Sequence, residues 1–361
     1  MNPVKITHLI SSLSRGGRER QLATLISNTN QHKYLTKIIY FNKKANSYID
    51  EYRLQDTAIQ IKQKGKFKRF IELHKVLKSE KPDIVYTWGN GESVSILLLK
   101  PFHSFKFING SIRHGIRSKS FSHYFRTLIL HLSPNIVANS RAGLKANNLR
   151  KGHVIYNGIE DKFFEPLPNR ATHRKNLVVI SEKTPILISV ANLVPYKDYF
   201  SILEALRLLK EKGLKFYYLI LGEGPMRKEI ESRISRYDLK ENIRILGNLE
   251  NVADYLKVSD IFIHSSKGEG CSNAILEAMA AGLPIVATNT GGTPEIVEKS
   301  FGFLFDYKNS NQLYDHLLWF LYNPSERKQM GAIAKNICVK RFSTEIMLSN
   351  YERIIQTVFH K

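Results

Sequence analysis

Cysteine is nearly absent from this sequence: Cys271 and Cys338 are the two among 361 residues. Two cysteines make neither a disulfide framework nor a metal-ligand spacing, and they fit a reducing, cytoplasmic setting. The N-terminus lacks an apolar stretch followed by a small-residue cleavage site, so a signal peptide is not expected. Apolar runs are short. The longest candidate, Thr127 to Leu132, falls far below the roughly 18–20 residues that a spanning helix needs. No aspartate-x-aspartate pair stands out, so no resident metal is expected, and no cofactor.

Acidic residues are scarce as well. There are 32 Asp and Glu against 54 Lys and Arg, a net charge of +22. Residues 1–165 hold 28 basic and 11 acidic residues, a balance of +17, whereas 166–361 hold 26 and 21, a balance of +5. The excess gathers in Lys62-Gln63-Lys64-Gly65-Lys66-Phe67-Lys68-Arg69-Phe70 and between Arg113 and Arg126, with aromatic residues interleaved. Such a face suits a nucleic acid, an anionic membrane surface or plain solvent. No nucleic-acid motif accompanies it, so nucleic acid is not an expected partner. The membrane surface and the solvated face both remain.

What is present is ample for two full cores: 43% of the residues are hydrophobic, and the length suits about two domains. Strand-like runs alternate with amphipathic stretches in both halves, which predicts two doubly wound α/β sheets. In the first half the strands are Val4–Ile10, Leu35–Phe41, a weak one near Ala58–Ile61, Pro82–Trp88, Phe105–Asn109 and Asn135–Asn139, and Val154–Ile159 closes it. Residues 160–184 lack periodicity and carry Pro166 and Pro168, which reads as a linker. The second half repeats the pattern with strands Pro185–Ala191, Lys215–Leu221, Ile243–Leu246, Asp260–His264 and Leu283–Ala287. The last 50 residues read as helical.

Between the last two of those strands lies Gly268-Glu269-Gly270-Cys271-Ser272-Asn273, opening a small-residue helix from Ala274 to Ala281 that carries Glu277. Ligands of parallel sheets sit at the carboxyl ends of strands, where the first turn of a helix offers its amides to anions. Two carboxylates around such a pole suit a ligand with hydroxyls at both ends and phosphates between them. Glycines at Gly16 and Gly17 after the first strand allow close backbone approach to a phosphate or sugar.

This stretch resembles the glutamate-x7-glutamate motif of the family-four retaining glycosyltransferases of the GT-B fold. Glu277-Ala278-Met279-Ala280-Ala281-Gly282-Leu283-Pro284 and Gly291-Gly292-Thr293-Pro294-Glu295 resemble that family's flanking text. Gly16-Gly17-Arg18-Glu19-Arg20 is similar to its glycine-glycine-x-glutamate-arginine entry. Tyr156-Asn157-Gly158 is similar to its proline-asparagine-glycine segment, with Tyr156 in place of proline.

The resemblance implies a GT-B architecture of two Rossmann-like domains facing a cleft. The acceptor side is 1–165, the nucleotide-sugar side is 166–341, and a helix within 342–361 returns to the first domain. It implies transfer of a hexose from a UDP- or GDP-linked sugar to a glycan or lipid-linked acceptor, in cell-surface polysaccharide or glycoconjugate synthesis. The nucleotide-sugar is then a substrate and no cofactor is needed. Lys197 would hold the donor diphosphate, helped by amides of Gly16, Gly17, Ser272 and Asn273, with Gly270 and Cys271 in the same loop. Glu277 would bind the ribose, Glu269 would orient the sugar and stabilise its cationic ring, and His114 would contact the sugar from the first domain. Asn192 stands where the family commonly has arginine, which removes a fixed charge from the phosphate site. An epimerase on the same plan, or a catalytically silent nucleotide-sugar-binding protein, is the alternative. A cytoplasmic enzyme, peripheral on an anionic membrane face through its basic domain, completes the expectation.

Overall fold

The computed structural model describes residues 2–42, 47–117, 120–178 and 184–360. It divides into two compact units, residues 1–158 with 344–361, and residues 159–343. Each is built on an all-parallel sheet. In the first, β1 (Val4–Ser12), β2 (Tyr34–Asn42), β3 (Ala58–Gln60), β4 (Ile84–Thr87), β5 (Lys106–Ile112), β6 (Asn135–Ala138) and β7 (His153–Val154) run in the order β3-β2-β1-β4-β5-β6-β7. In the second, β8 (Ile186–Val190), β9 (Tyr217–Leu221), β10 (Ile243–Gly247), β11 (Ile261–His264), β12 (Ile285–Thr288) and β13 (Gly302–Phe305) run β10-β9-β8-β11-β12-β13. The order reverses beside β1 in one sheet and beside β8 in the other, which opens a crevice at the carboxyl ends there.

The strand sequences explain this plan. β4, β11 and β12 are buried at every residue, as strands covered by helices on both faces must be, so they read as unbroken apolar runs. Strand β13 lay unread in Phe301-Gly302-Phe303-Leu304-Phe305. Only two residues of the run expected to close the first half pair as a strand, His153 and Val154.

Residues 160–184 are not a bare linker. A helix occupies Arg170–Val178 and is tied to the second sheet through Asp260. Arg174 Nη1 donates to Asp260 Oδ2 at 2.8 Å, the same oxygen accepts the Ile186 amide at 2.8 Å, and Arg170 Nη2 reaches Asp260 Oδ1 at 3.1 Å. Burial works against the charge on Asp260, but Arg174 and the Ile186 amide outweigh it and hold the pKa below the usual aspartate value. The periodicity of the helix is masked by its charges, because its buried contact is an ion pair and not an apolar stripe. Residues 179–183 lie outside the described residues.

The terminal helix Thr344–Phe359 belongs to the first unit. Met347, Tyr351, Ile354, Ile355 and Val358 join Ile6, Ile10, Leu22 and Trp88 in its core. Phe342, expected at the start of this helix, instead ends the preceding one, Pro324–Phe342, and its carbonyl accepts the Ile159 amide at 2.8 Å.

Tyr351 stacks on Trp88 with centroids 6.3 Å apart, and Trp88 Nε1 donates to Nδ1 of buried His8 at 3.1 Å. Burial pushes the His8 imidazole down from its usual 6.5 to about 3. The unfolded chain therefore takes up a proton that the folded unit refuses. The stability from neutral His8 is complete above pH 6.5 and declines below it, at up to about 1.4 kcal/mol per pH unit, until about pH 3. His8→Asn keeps an acceptor for Trp88 and removes the titration. Urea unfolding followed by Trp88 fluorescence in a Trp319→Phe background should show the native chain losing about 2 kcal/mol more than the variant between pH 6.5 and 5. Equal losses would mean that His8 is protonated in the fold.

Candidate active site

The site forms in the second unit, where β8 and β11 lie side by side at the reversal of strand order. The loop after β8 brings Lys197, and the loop after β11 brings Glu269. Lys197 Nζ donates to Glu269 Oε1 at 2.6 Å, and the lysine side chain is 7% exposed against 25% for the glutamate. His264, the last residue of β11, places Nε2 3.1 Å from Glu269 Oε2 and 3.4 Å from Lys197 Nζ.

Burial alone would raise the Glu269 pKa, but Lys197 and His264 outweigh it and hold the carboxyl well below its usual range. Burial and then Lys197 push the His264 pKa down, and Glu269 only partly restores it, so the imidazole is neutral at pH 7. A neutral ring has one N–H. The carboxylate can only accept, so that hydrogen sits on Nε2 and is donated to Glu269. The contact between Nε2 and Lys197 is then two donors side by side. Glu269 is the acceptor that both of them share.

The loop carrying Glu269 is braced on three sides. The Lys267 amide donates to the Tyr196 carbonyl at 2.8 Å, which ties it to the Lys197 loop. Thr288 Oγ1, at the end of β12, and Thr290 Oγ1, just after it, each donate to the Ser266 carbonyl at 2.8 Å. Gly292 donates its amide to the Glu269 carbonyl at 2.9 Å. Gly291 beside it sits at φ +56°, and a Cβ there would collide with the Glu269 backbone, so only glycine lets the two segments meet.

Beyond the loop, Gly270, Cys271 and Ser272 are buried and lead into the helix Asn273–Ala280. Ser272 is its N-cap residue but makes no side-chain capping bond, which leaves the first-turn amides uncapped by that side chain. Glu277 lies in the second turn and is 3% exposed. Asn192 follows β8 and is exposed.

Gly16, Gly17 and His114 stand in the first unit. His114 is exposed, past the end of β5. At the Gly16-Gly17 turn, expected to present amides to phosphate, the carboxylate of Glu19 folds against Gly16 and is held by Arg18 Nη2 at 2.7 Å. A carboxylate in that position repels an anion seeking the same amides. His264 escaped sequence reading because it ends an ordinary apolar strand. Its one signal was its place five residues before Glu269.

Removing Lys197 alone leaves Glu269 charged with only His264 beside it. A broken, fully buried pair costs about 3–5 kcal/mol. With a quarter of the Glu269 side chain exposed, we expect Lys197→Met to cost about 2 kcal/mol. Lys197→Met with Glu269→Gln should recover most of that loss in a thermal melt. A double variant no more stable than Lys197→Met would show that the pair is not what holds the loop.

Residues 170–337 match the family Glycosyl transferases group 1. The chain is 26% identical over 288 residues to the N-acetyl-alpha-D-glucosaminyl L-malate synthase of Bacillus anthracis, covering 79% of this chain and 71% of that one. It is 25% identical over 289 residues to the UDP-Gal:alpha-D-GlcNAc-diphosphoundecaprenol alpha-1,3-galactosyltransferase of Escherichia coli, covering 74% and 73%. Its fold is similar to the crystal structure of Anabaena Alr3699/HepE in complex with UDP, with a TM-score of 0.85 at 17% identity over 98% and 100% of the two chains. The family match spans Lys197, His264 and Glu269 and the fold match spans nearly the whole chain, so residues 170–337 resemble the group 1 glycosyl transferases and the chain has the GT-B fold.

Proposed function

We propose that the protein is a retaining glycosyltransferase that moves a hexosyl group from a UDP- or GDP-linked sugar to a glycan or lipid-linked acceptor, in the synthesis of a cell-surface polysaccharide or glycoconjugate. The observation that carries this reading is the Lys197, Glu269 and His264 cluster at the strand-order reversal, next to an N-terminus uncapped by its serine. The UDP in the Anabaena structure, and the UDP-linked galactose in the name of the Escherichia coli relative, support a UDP-linked donor.

In this reading the bond from the sugar to the diphosphate breaks, and negative charge builds on the leaving oxygens. Lys197 and the amides of Ser272 and Asn273 meet that charge from fixed positions, so nothing must reorganise as it forms. Their positive charge does the work of a divalent ion, so we propose metal-independent transfer. Glu269 is acceptor-only because it stays ionised. It takes hydrogen bonds from sugar hydroxyls and stabilises the positive charge on the ring. Glu277 takes hydrogen bonds from the ribose hydroxyls. The first unit serves the acceptor, and its basic character favours peripheral association with the anionic cytoplasmic face of a membrane. Among the described residues no helix is long and apolar enough to cross a membrane.

A mass-spectrometric screen of nucleotide-sugars tests the reading, with and without glycan acceptors and with EDTA. Donor consumption that gives a glycosylated acceptor of unchanged anomeric configuration, and persists in EDTA, is the expected result. Conversion of the donor without acceptor would make it an epimerase, and tight binding without turnover would make it a silent binding protein. Glu277→Gln replaces charge-assisted hydrogen bonds by neutral ones of about half the strength, so nucleotide affinity should fall about tenfold, or about 1.4 kcal/mol. Unchanged affinity in calorimetry would remove Glu277 from the site. Lys197→Ala should weaken nucleoside diphosphate binding more than nucleoside binding, and equal losses would place the lysine away from the phosphates.

A further inference from the structure

We propose that the helix Phe121–His131 docks the first unit on an anionic lipid bilayer, seating Phe121, Tyr124, Phe125 and Leu128 among the headgroups. The inference rests on the membrane reading above and names the element that makes the contact. The helix buries His123, Ile129 and Leu130 against its own unit and turns a second apolar stripe outward. Phe121 is 86% exposed, Tyr124 56%, Phe125 48% and Leu128 55%, and Leu132 just past the helix end is 61% exposed. Their positions, i, i+3, i+4, i+7 and i+11, follow one side of a helix. Single exposed apolar residues are ordinary, whereas a contiguous stripe of five marks a surface that meets something.

Charge says what it meets. From Ser93 to Ile159 the sequence has no aspartate or glutamate and ten lysines and arginines. That acid-free stretch includes β5, this helix, β6 and β7, on one side of the first sheet. Arg117 and Arg126 stand close enough to the first turn of the helix to depress the His123 pKa, after burial itself. Past the other end, Arg150 and Lys151 line a surface depression together with His131. Large apolar side chains between cationic groups, with no acid among them, are what a negatively charged bilayer surface attracts. A second copy of this chain is disfavoured as the occupant, because the same face would present its own positive charge. The basic cluster at 62–70 is a weaker candidate. Of the large apolar residues in its helix, Lys66–Glu80, Phe67 and Ile71 are the exposed ones, and the helix includes Glu72 and Glu80. Its Arg69 is also engaged by Gln63 O at 2.9 Å and Asn42 Oδ1 at 3.0 Å.

The test floats the full chain with phosphatidylcholine vesicles, with and without phosphatidylglycerol. We expect flotation with phosphatidylglycerol only, reversed by high salt. Phe121→Ser with Phe125→Ser changes two exposed side chains and should lower vesicle partition about tenfold or more. Charge reversal at Lys64, Lys66 and Lys68 should matter less. In Phe121→Trp, the tryptophan emission should shift to the blue when phosphatidylglycerol vesicles are added. Nucleotide binding, located in the second unit, should be equal in all variants. That equality separates a failed docking surface from a failed donor site, and an unchanged urea transition of Trp88 fluorescence in the serine and charge-reversal variants shows that the first unit is folded. Unchanged flotation of the double serine variant, or an unmoved Phe121→Trp emission while the protein floats, would overturn the assignment and leave another face in contact with lipid. No flotation of the native chain would overturn the membrane reading with it. Binding of RNA or of an acidic protein, lost in the serine variant without any flotation, would give the stripe to that partner instead.

Discussion

The pairing of Lys197 with Glu269 is the constraint on which the second unit turns. A lysine side chain 7% exposed at the end of a parallel sheet needs a carboxylate partner, and the lysine with His264 holds that carboxyl well below its usual range. The pair therefore fixes two loops at once, and His264 beneath it fixes the orientation of the carboxylate. The bonds from Lys267 to Tyr196, from Thr288 and Thr290 to Ser266, and from Gly292 to Glu269 are the scaffold for this one contact. A site held in this way presents its charges ready-made, which is what electrostatic stabilisation of a leaving group requires.

The two units share one plan and use it differently. Both sheets reverse strand order beside their first strand, and both place helix N-termini at the carboxyl edge. In the first unit those termini are filled from within. Glu19 folds against Gly16, and Glu92 folds against Gly89, each glutamate being the third residue of its helix. In the second unit the side chain of Ser272 makes no capping bond to the helix Asn273–Ala280, while Asp198 caps the helix Tyr199–Glu211 from within.

The first unit also combines a closed core with an open face. The terminal helix seals the aromatic cluster of His8, Tyr86 and Trp88 by laying Tyr351 over it. The guanidinium of Arg113 lies 4.5 Å from the Trp88 ring centroid and so carries positive charge onto that cluster. On the helix Phe121–His131 the order is reversed. Large aromatic side chains that would ordinarily enlarge a core remain outside, in the part of the chain where acids are missing altogether.

Much of the fold was legible in the sequence because a parallel sheet covered on both sides demands largely apolar strands, and β4, β8, β9, β11 and β12 supply them within short windows. The Glu269 and Glu277 spacing, the glycine turn at 16–17 and the lysine after β8 were legible for the same reason, since each is a local pattern. The tertiary structure alone decided what those residues meet. Lys197 and Glu269 are 72 positions apart, and no window in the chain shows that they meet beside His264. The helix Arg170–Val178 was illegible because an ion pair to Asp260 replaces its apolar stripe. The glycine turn at 16–17 was read correctly as a turn but not as one occupied by its own Glu19. Periodicity records which face of an element is buried, whereas the partner of a buried charge is chosen by the order in which distant strands assemble.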